Sequence, residues 1–128
     1  MPSTSRELCD RYLAALDAGG LGAVRALFTP DATVASPLYG VRHAHDFYAE
    51  LFADTRQSET TLLGVFDGTD GRSVALHFRY AWTLASGKRV LFECVDVFEL
   101  APDRRRFGKL TIIYDTAQLR ADFAELRH

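Results

Sequence analysis

One carboxylate in this sequence falls among residues that should exclude it. Side chains alternate across a strand, so Phe92, Cys94, Asp96 and Phe98 share one face of an apolar run. Leu91, Glu93, Val95, Val97 and Glu99 share the opposite face. A carboxylate in apolar surroundings is costly unless it is hydrogen-bonded or protonated. Two readings of Asp96 are open. In one it caps a backbone group or pairs with an arginine at the sheet end. In the other it faces a pocket, keeps its proton to a raised pKa and donates a hydrogen bond to a ligand oxygen. Phe78, Tyr80, Trp82 and Leu84 share the apolar face of the preceding strand, away from His77, Arg79, Ala81 and Thr83. Tyr80, Trp82 and Tyr114 share the parity of Asp96 and read as core or as pocket lining.

The other chemistry-bearing residues are more isolated. Asp115 precedes Thr116 and reads as a helix cap, although a register slip of one residue would turn it inward. His77 lies on a polar face and reads as a surface or dimer-interface residue. His43 and His45 have no third ligand nearby, so no metal is expected. Cys9 and Cys94 belong to no CxxC pattern and read as small buried hydrophobes. Gly68, Gly71 and Gly87 are turn glycines; no phosphate loop, dinucleotide fingerprint or nucleophile elbow occurs, and no cofactor is called for.

The elements that must position these residues follow from periodicity. Leu8, Tyr12 and Leu16 recur at helical spacing over 5–18, with Ser5 as cap and Gly19-Gly20 as the stop. A second helix fits 21–28, a short strand 32–36, a turn Pro37 to Gly40, and a third helix about 44–55. The period then changes to two, predicting strands at about 60–67, 72–85, 88–101 and 105–115. Leu119, Phe123 and Leu126 suggest a short C-terminal helix. Helices first and strands after predict one α+β domain over residues 1–128, with helices on one face of a mainly antiparallel sheet.

Composition removes several classes. Fifteen Lys and Arg against 17 Asp and Glu leave a net charge of −2, no footprint for nucleic acid or an anionic membrane. Arg104-Arg105-Arg106 reads as a solvated hairpin tip. No apolar run approaches a membrane span, and the first residues lack the apolar core of a signal peptide, so a cytoplasmic location is expected. Nine Phe, five Tyr and one Trp are many rings for a chain that can bury only about two thirds of its unfolded surface. That excess suggests a lined cavity.

The stretches Asp10-Arg11-Tyr12-Leu13-Ala14-Ala15-Leu16-Asp17-Ala18-Gly19 and Ala26-Leu27-Phe28-Thr29-Pro30-Asp31-Ala32-Thr33-Val34-Ala35-Ser36-Pro37, with Phe47-Tyr48 and Val95-Asp96-Val97-Phe98, carry a resemblance. The sequence resembles ketosteroid isomerases and the wider NTF2-like superfamily, including SnoaL-like polyketide cyclases. The resemblance implies a cone-shaped domain, a strongly curved antiparallel or mixed sheet wrapped around three N-terminal helices, as in a cystatin-like roll. It implies an apolar pocket shaped by Phe28, Tyr48, Phe78, Tyr80, Trp82, Phe92, Cys94, Phe98 and Tyr114, with Ser36 at its edge. Tyr12 and Asp96 match the oxyanion hole, and Tyr48 a supporting tyrosine; Phe28 stands where some members carry another. The expected ligand is a small apolar molecule with a carbonyl or hydroxyl, and the expected chemistry is that of an isomerase or cyclase. The family's base is an aspartate before a proline, whereas here Ser36 precedes Pro37. A serine hydroxyl is no base at neutral pH without an activating partner. The cyclase and epoxide-hydrolase relatives carry an aspartate on the last strand, where Ile112 matches and Asp115 is nearby; Asp115, water or a substrate group would then serve as base. A non-catalytic binding or dimerisation module is the alternative. A homodimer through the outer sheet face is implied, and the strip of Leu91, Val95 and Val97 motivates it physically.

Overall fold

The structure, a computed structural model, describes residues 4–117 and residue 120. Three helices, α1 (Thr4–Ala18), α2 (Leu21–Arg25) and α3 (Ala44–Ala53), pack on one side of six strands. The strands are β1 (Phe28–Ser36), β2 (Gly40–His43), β3 (Thr55–Asp67), β4 (Ser73–Leu84), β5 (Arg89–Leu100) and β6 (Phe107–Ile113). They form one sheet in the order β2-β1-β6-β5-β4-β3, which leaves β2 and β3 as edges. Every neighbouring pair is antiparallel except β1 with β6, which is parallel. The architecture is therefore the expected α+β arrangement with a mixed, unclosed sheet.

Local chemistry explains the boundaries. The α1 stripe buries Leu8, Cys9, Tyr12, Leu13, Ala15 and Leu16. Gly19 ends the helix at φ +65°, and Gly19 and Gly20 donate to the carbonyls of Leu16 and Ala15 at 3.1 and 3.0 Å. That paired closure needs a left-handed residue, which glycine supplies without strain. Asp17 then ties this end of α1 to β3, accepting from the Thr60 amide and hydroxyl at 2.9 and 3.0 Å.

Four expectations need correction. Thr4 is already helical, so Ser5 lies within α1 and is not its cap. The second helix stops at Arg25, because Phe28 already pairs with Phe107 across β1 and β6; long-range pairing overrides the local helical spacing. Pro30, which cannot donate to a ladder, sits in the register shift between Phe28 and Thr33. The third helix ends at Ala53 and β3 begins at once, earlier than its sequence suggests, because 55–59 is a polar edge segment without apolar alternation. β2 is wholly exposed, so it too left no periodic trace. The expected tail helix falls on residues outside the described ones.

Parity along β4 and β5 is as the sequence indicated. Val74, Leu76, Phe78, Tyr80, Trp82 and Leu84 are buried on one face, as are Val90, Cys94, Asp96 and Phe98. The other face of the sheet exposes Phe66, Leu91 and Ile113, around the His77–Glu93 contact at 2.9 Å. No helix among the described residues is long and apolar enough to cross a membrane.

Candidate functional site

β5 delivers the central group. Alternation turns Asp96 toward the helices, where it is 1% exposed. Its Oδ1 accepts a hydrogen bond from the Cys94 thiol at 3.1 Å. Tyr12, projecting from the buried stripe of α1, stands close enough to lower the pKa of this carboxyl. The Tyr12 and Tyr48 hydroxyls are 2.8 Å apart. Either hydroxyl of that pair can donate; with Tyr48 donating, the single proton of Tyr12 is left for Asp96 or for an occupant of the cavity. Burial pushes the Asp96 carboxyl up to about 7, against the pull of Cys94 and Tyr12. Burial also holds the Tyr12, Tyr48 and Cys94 protons in place far above neutrality. Asp96 is thus the group among the described cavity-lining residues whose proton exchanges near neutral pH.

Asp96 opens onto a cavity. From α1 come Tyr12 and Leu16, from the end of β1 and the following turn Ser36 and Tyr39, and from α3 Phe47 and Leu51. The sheet contributes Phe78, Tyr80, Trp82, Phe92, Cys94 and Ile112, and Tyr114 follows β6. The cavity is a slot of about 40 Å³ walled largely by rings, or about 450 Å³ with its open mouth included. Several ring polar atoms are already engaged. Tyr80 meets the Ser58 hydroxyl at 2.8 Å, Trp82 Nε1 donates to Thr55 Oγ1 at 2.8 Å, and Tyr39 donates to Asp54 at 2.6 Å. Those rings offer mainly faces and edges to an occupant.

Ser36 has a definite job. Its Oγ accepts from the amides of Leu38 and Tyr39, both at 3.3 Å, closing the turn after β1. Its own proton is used in neither bond. Asp96 lies opposite Ile112 in the β5–β6 register, and Val34 opposite Leu110 in β1–β6. Extending that register puts Ser36 beside Ile112, so Ser36, Ile112 and Asp96 form one inward row. Two strand spacings separate the ends of the row, roughly 10 Å.

The structure divides the residues singled out from sequence. Tyr12, Ser36, Phe78, Tyr80, Trp82, Phe92, Cys94, Asp96 and Tyr114 line the cavity. Phe28, Tyr48 and Phe98 stand behind Tyr12 instead, in a packed cluster with Phe107. Phe98 stacks on Phe107 at 3.9 Å, Tyr12 meets Phe98 edge-on at 5.1 Å, and Phe28 lies 5.3 Å from Tyr48. Asp115 is exposed. Its Oδ1 accepts from the Ala117 amide at 2.9 Å, the geometry of a cap. Leu16, Tyr39, Phe47, Leu51 and the buried Asp54 behind Tyr39 were not anticipated. Leu16 shares the helical stripe of Tyr12 and could have been read from it; the Tyr39–Asp54 pair spans a turn and a helix and has no local signal. Among the described residues no group of three His, Cys, Asp or Glu is placed to hold a metal ion.

Comparison with known proteins agrees with this fold. A search of curated proteins found no match. SalBIII, the epoxide hydrolase/cyclase-like enzyme of pyran ring formation in the polyether salinomycin, is similar in structure, with a TM-score of 0.74. It is 21% identical over 87% of this chain and 90% of that one. TerC, co-crystallised with polyporic acid, gives a TM-score of 0.77 at 14% identity, over 95% of this chain and 99% of that one. A Catenulispora acidiphila protein with a ketosteroid isomerase-like fold, in complex with trimethylamine, gives 0.77 at 13% identity over 94% of both chains. At these identities the likeness is one of fold. The SnoaL-like domain matches residues 9–105, most of the helices and sheet that build the cavity, and the chain belongs to that family.

Proposed function

We propose that the chain binds a small, largely apolar molecule through one carbonyl or hydroxyl oxygen, held at the Tyr12–Asp96 corner of the slot. One observation carries this reading: a buried carboxyl able to take up a proton near neutrality faces an otherwise aromatic cavity. Protonated, Asp96 donates to a ligand oxygen; beside Tyr12 it would stabilise an enolate oxygen as charge develops there. That is ketosteroid-isomerase or polyketide-cyclase chemistry with its base missing, since Ser36 occupies the base position and Asp115 lies exposed. Turnover would need a base brought by water or by the substrate. Two similar structures holding small organic molecules are in keeping with this use of the fold. The second reading, a module that binds without turnover, is favoured by Asp96 being the one carboxylate among the described lining residues.

Titration with 2-naphthol, followed by its fluorescence, tests the binding corner. Asp96→Ala and Tyr12→Phe should each weaken binding severalfold, up to about tenfold, given about 0.5–1.5 kcal/mol for a hydrogen bond between uncharged groups. Equal affinity in both variants and the parent would remove the corner from the site.

We also infer a homodimer through the outer sheet face. Phe66, Leu91 and Ile113 are 59%, 57% and 53% exposed there, flanked by the partly buried Val95 and Val97. Sedimentation at micromolar concentration should show a dimer, and Ile113→Glu a monomer with unchanged circular dichroism. A monomeric parent protein would end this inference.

A further inference from the structure

We propose that Cys94 is a positioning residue for the cavity's acid: its thiol holds Asp96 Oδ1 as an acceptor, so that the second carboxyl oxygen carries the exchangeable proton. The idea deepens the binding reading above and rests on Asp96 as the polar contact. Cys94 and Asp96 are two residues apart on one strand and face the same way, and both line the cavity. The sulfur is 3.1 Å from Oδ1, and the cysteine is 3% exposed. A thiol is a weak donor, but here it has no competing water and cannot rotate into solvent. Burial and the neighbouring carboxylate keep its proton on sulfur, so it remains a donor across the working pH range and is no nucleophile.

The carboxyl has few other constraints. No Arg, Lys or His is found among the described residues that line the cavity. The titratable groups that feel the charge of Asp96 are Tyr12 and Cys9 from α1, Tyr48 from α3, Tyr80 from β4, Cys94 from β5 and Tyr114 after β6. All are neutral at pH 7. Cys94 and Tyr12 are the two that lower the carboxyl's own pKa; Cys94 does so through its hydrogen bond to Oδ1, and the Tyr12 hydroxyl is also engaged by Tyr48. Without the thiol, one tyrosine would hold a carboxyl free to turn about its last torsion.

The test follows the Asp96 carboxyl carbon by NMR in ¹³C-labelled protein, titrated from pH 4 to 9. The parent midpoint should lie near 7. Cys94→Ala and Cys94→Val remove the donor, the second while filling the space. Both should raise the midpoint by about one unit, a tenfold tighter hold on the proton. Cys94→Ser, which keeps a donor, should return it to within a few tenths of the parent. Coincident midpoints in the parent, Ala and Val proteins would overturn the proposal, as would a Ser variant that behaves like Ala. The readout needs no ligand. Failure of 2-naphthol to bind with the midpoint shift intact would remove the ligand reading and leave the thiol's role. Binding with no shift would do the reverse.

Discussion

Asp96→Asn should make the protein more stable at pH 8 by about 2–3 kcal/mol, while weakening its hold on a ligand oxygen. The folded-state pKa of Asp96 is raised, to about 7 from 3.8. Below about pH 4 both the folded and the unfolded carboxyl are protonated, and Asp96 does not set stability. As pH rises from there toward 7, the unfolded chain releases this proton and the folded chain retains it. Unfolding is then coupled to proton release, and stability falls by about 1.4 kcal/mol per pH unit. The loss sums to about 4 kcal/mol and levels off above the folded value. Asparagine keeps the shape and never ionises, so it escapes this loss. Its NH₂ replaces one carboxyl oxygen, so a donor that met that oxygen loses its acceptor, at a cost of about 1–2 kcal/mol. The difference is the net gain stated. Urea unfolding of both proteins at pH 5, 6, 7 and 8 checks it, because every other titrating group is common to the pair. Curves that stay parallel across that range would show that Asp96 is ionised in the folded state without penalty. A stabilising loss of a binding group is what a site kept below the stability optimum for function looks like.

What could be read from the sequence depended on which signals are local. Asp96 stood out because a strand's period of two is strict: one polar residue among Phe92, Cys94 and Phe98 is visible without any structure. The α1 stripe was visible for the same reason at period 3.6. The sorting of the aromatic rings was not. Parity says which side of the sheet a ring faces, but not whether it meets the slot or the packing behind it. Phe98 and Phe92 lie on the same face of β5, yet Phe98 stacks on Phe107 while Phe92 reaches the cavity beside Tyr114 at 4.8 Å. The surplus of rings therefore serves two purposes, walls around the slot and a cluster that fixes Tyr12 from behind. Segments governed by long-range pairing were hidden too. Phe28 carries helical spacing with Val24 and Leu27, and joins a strand because Phe107 is there to pair with it. The Tyr39–Asp54 hydrogen bond joins residues whose proximity only the finished fold creates.

Ser36→Asp should convert the slot into an isomerase of small β,γ-unsaturated cyclic ketones. The position already tolerates a carboxylate on structural grounds. Ser36 Oγ accepts the Leu38 and Tyr39 amides, and aspartate closes the same kind of turn with one carboxyl oxygen. Its second oxygen would face the cavity. Ser36 is 9% exposed, so burial would raise the new carboxyl's pKa while the two amides lowered it; the opposed effects leave it ionised at neutral pH. A base is then available at one end of the Ser36–Ile112–Asp96 row, with an oxygen-stabilising corner roughly 10 Å away at the other. That span accommodates one ring with its carbonyl at Asp96 and its acidic carbon toward residue 36. A positioned general base contributes about 10²–10⁴-fold. The rise in ultraviolet absorbance of the conjugated product should accelerate over the parent protein by that order. Ser36→Asp combined with Asp96→Ala should lose most of the gain, because the enolate oxygen would have no acid to meet. A single variant no faster than the parent, with its fold and its 2-naphthol affinity intact, would show that the corner holds ligands without being placed to stabilise an enolate.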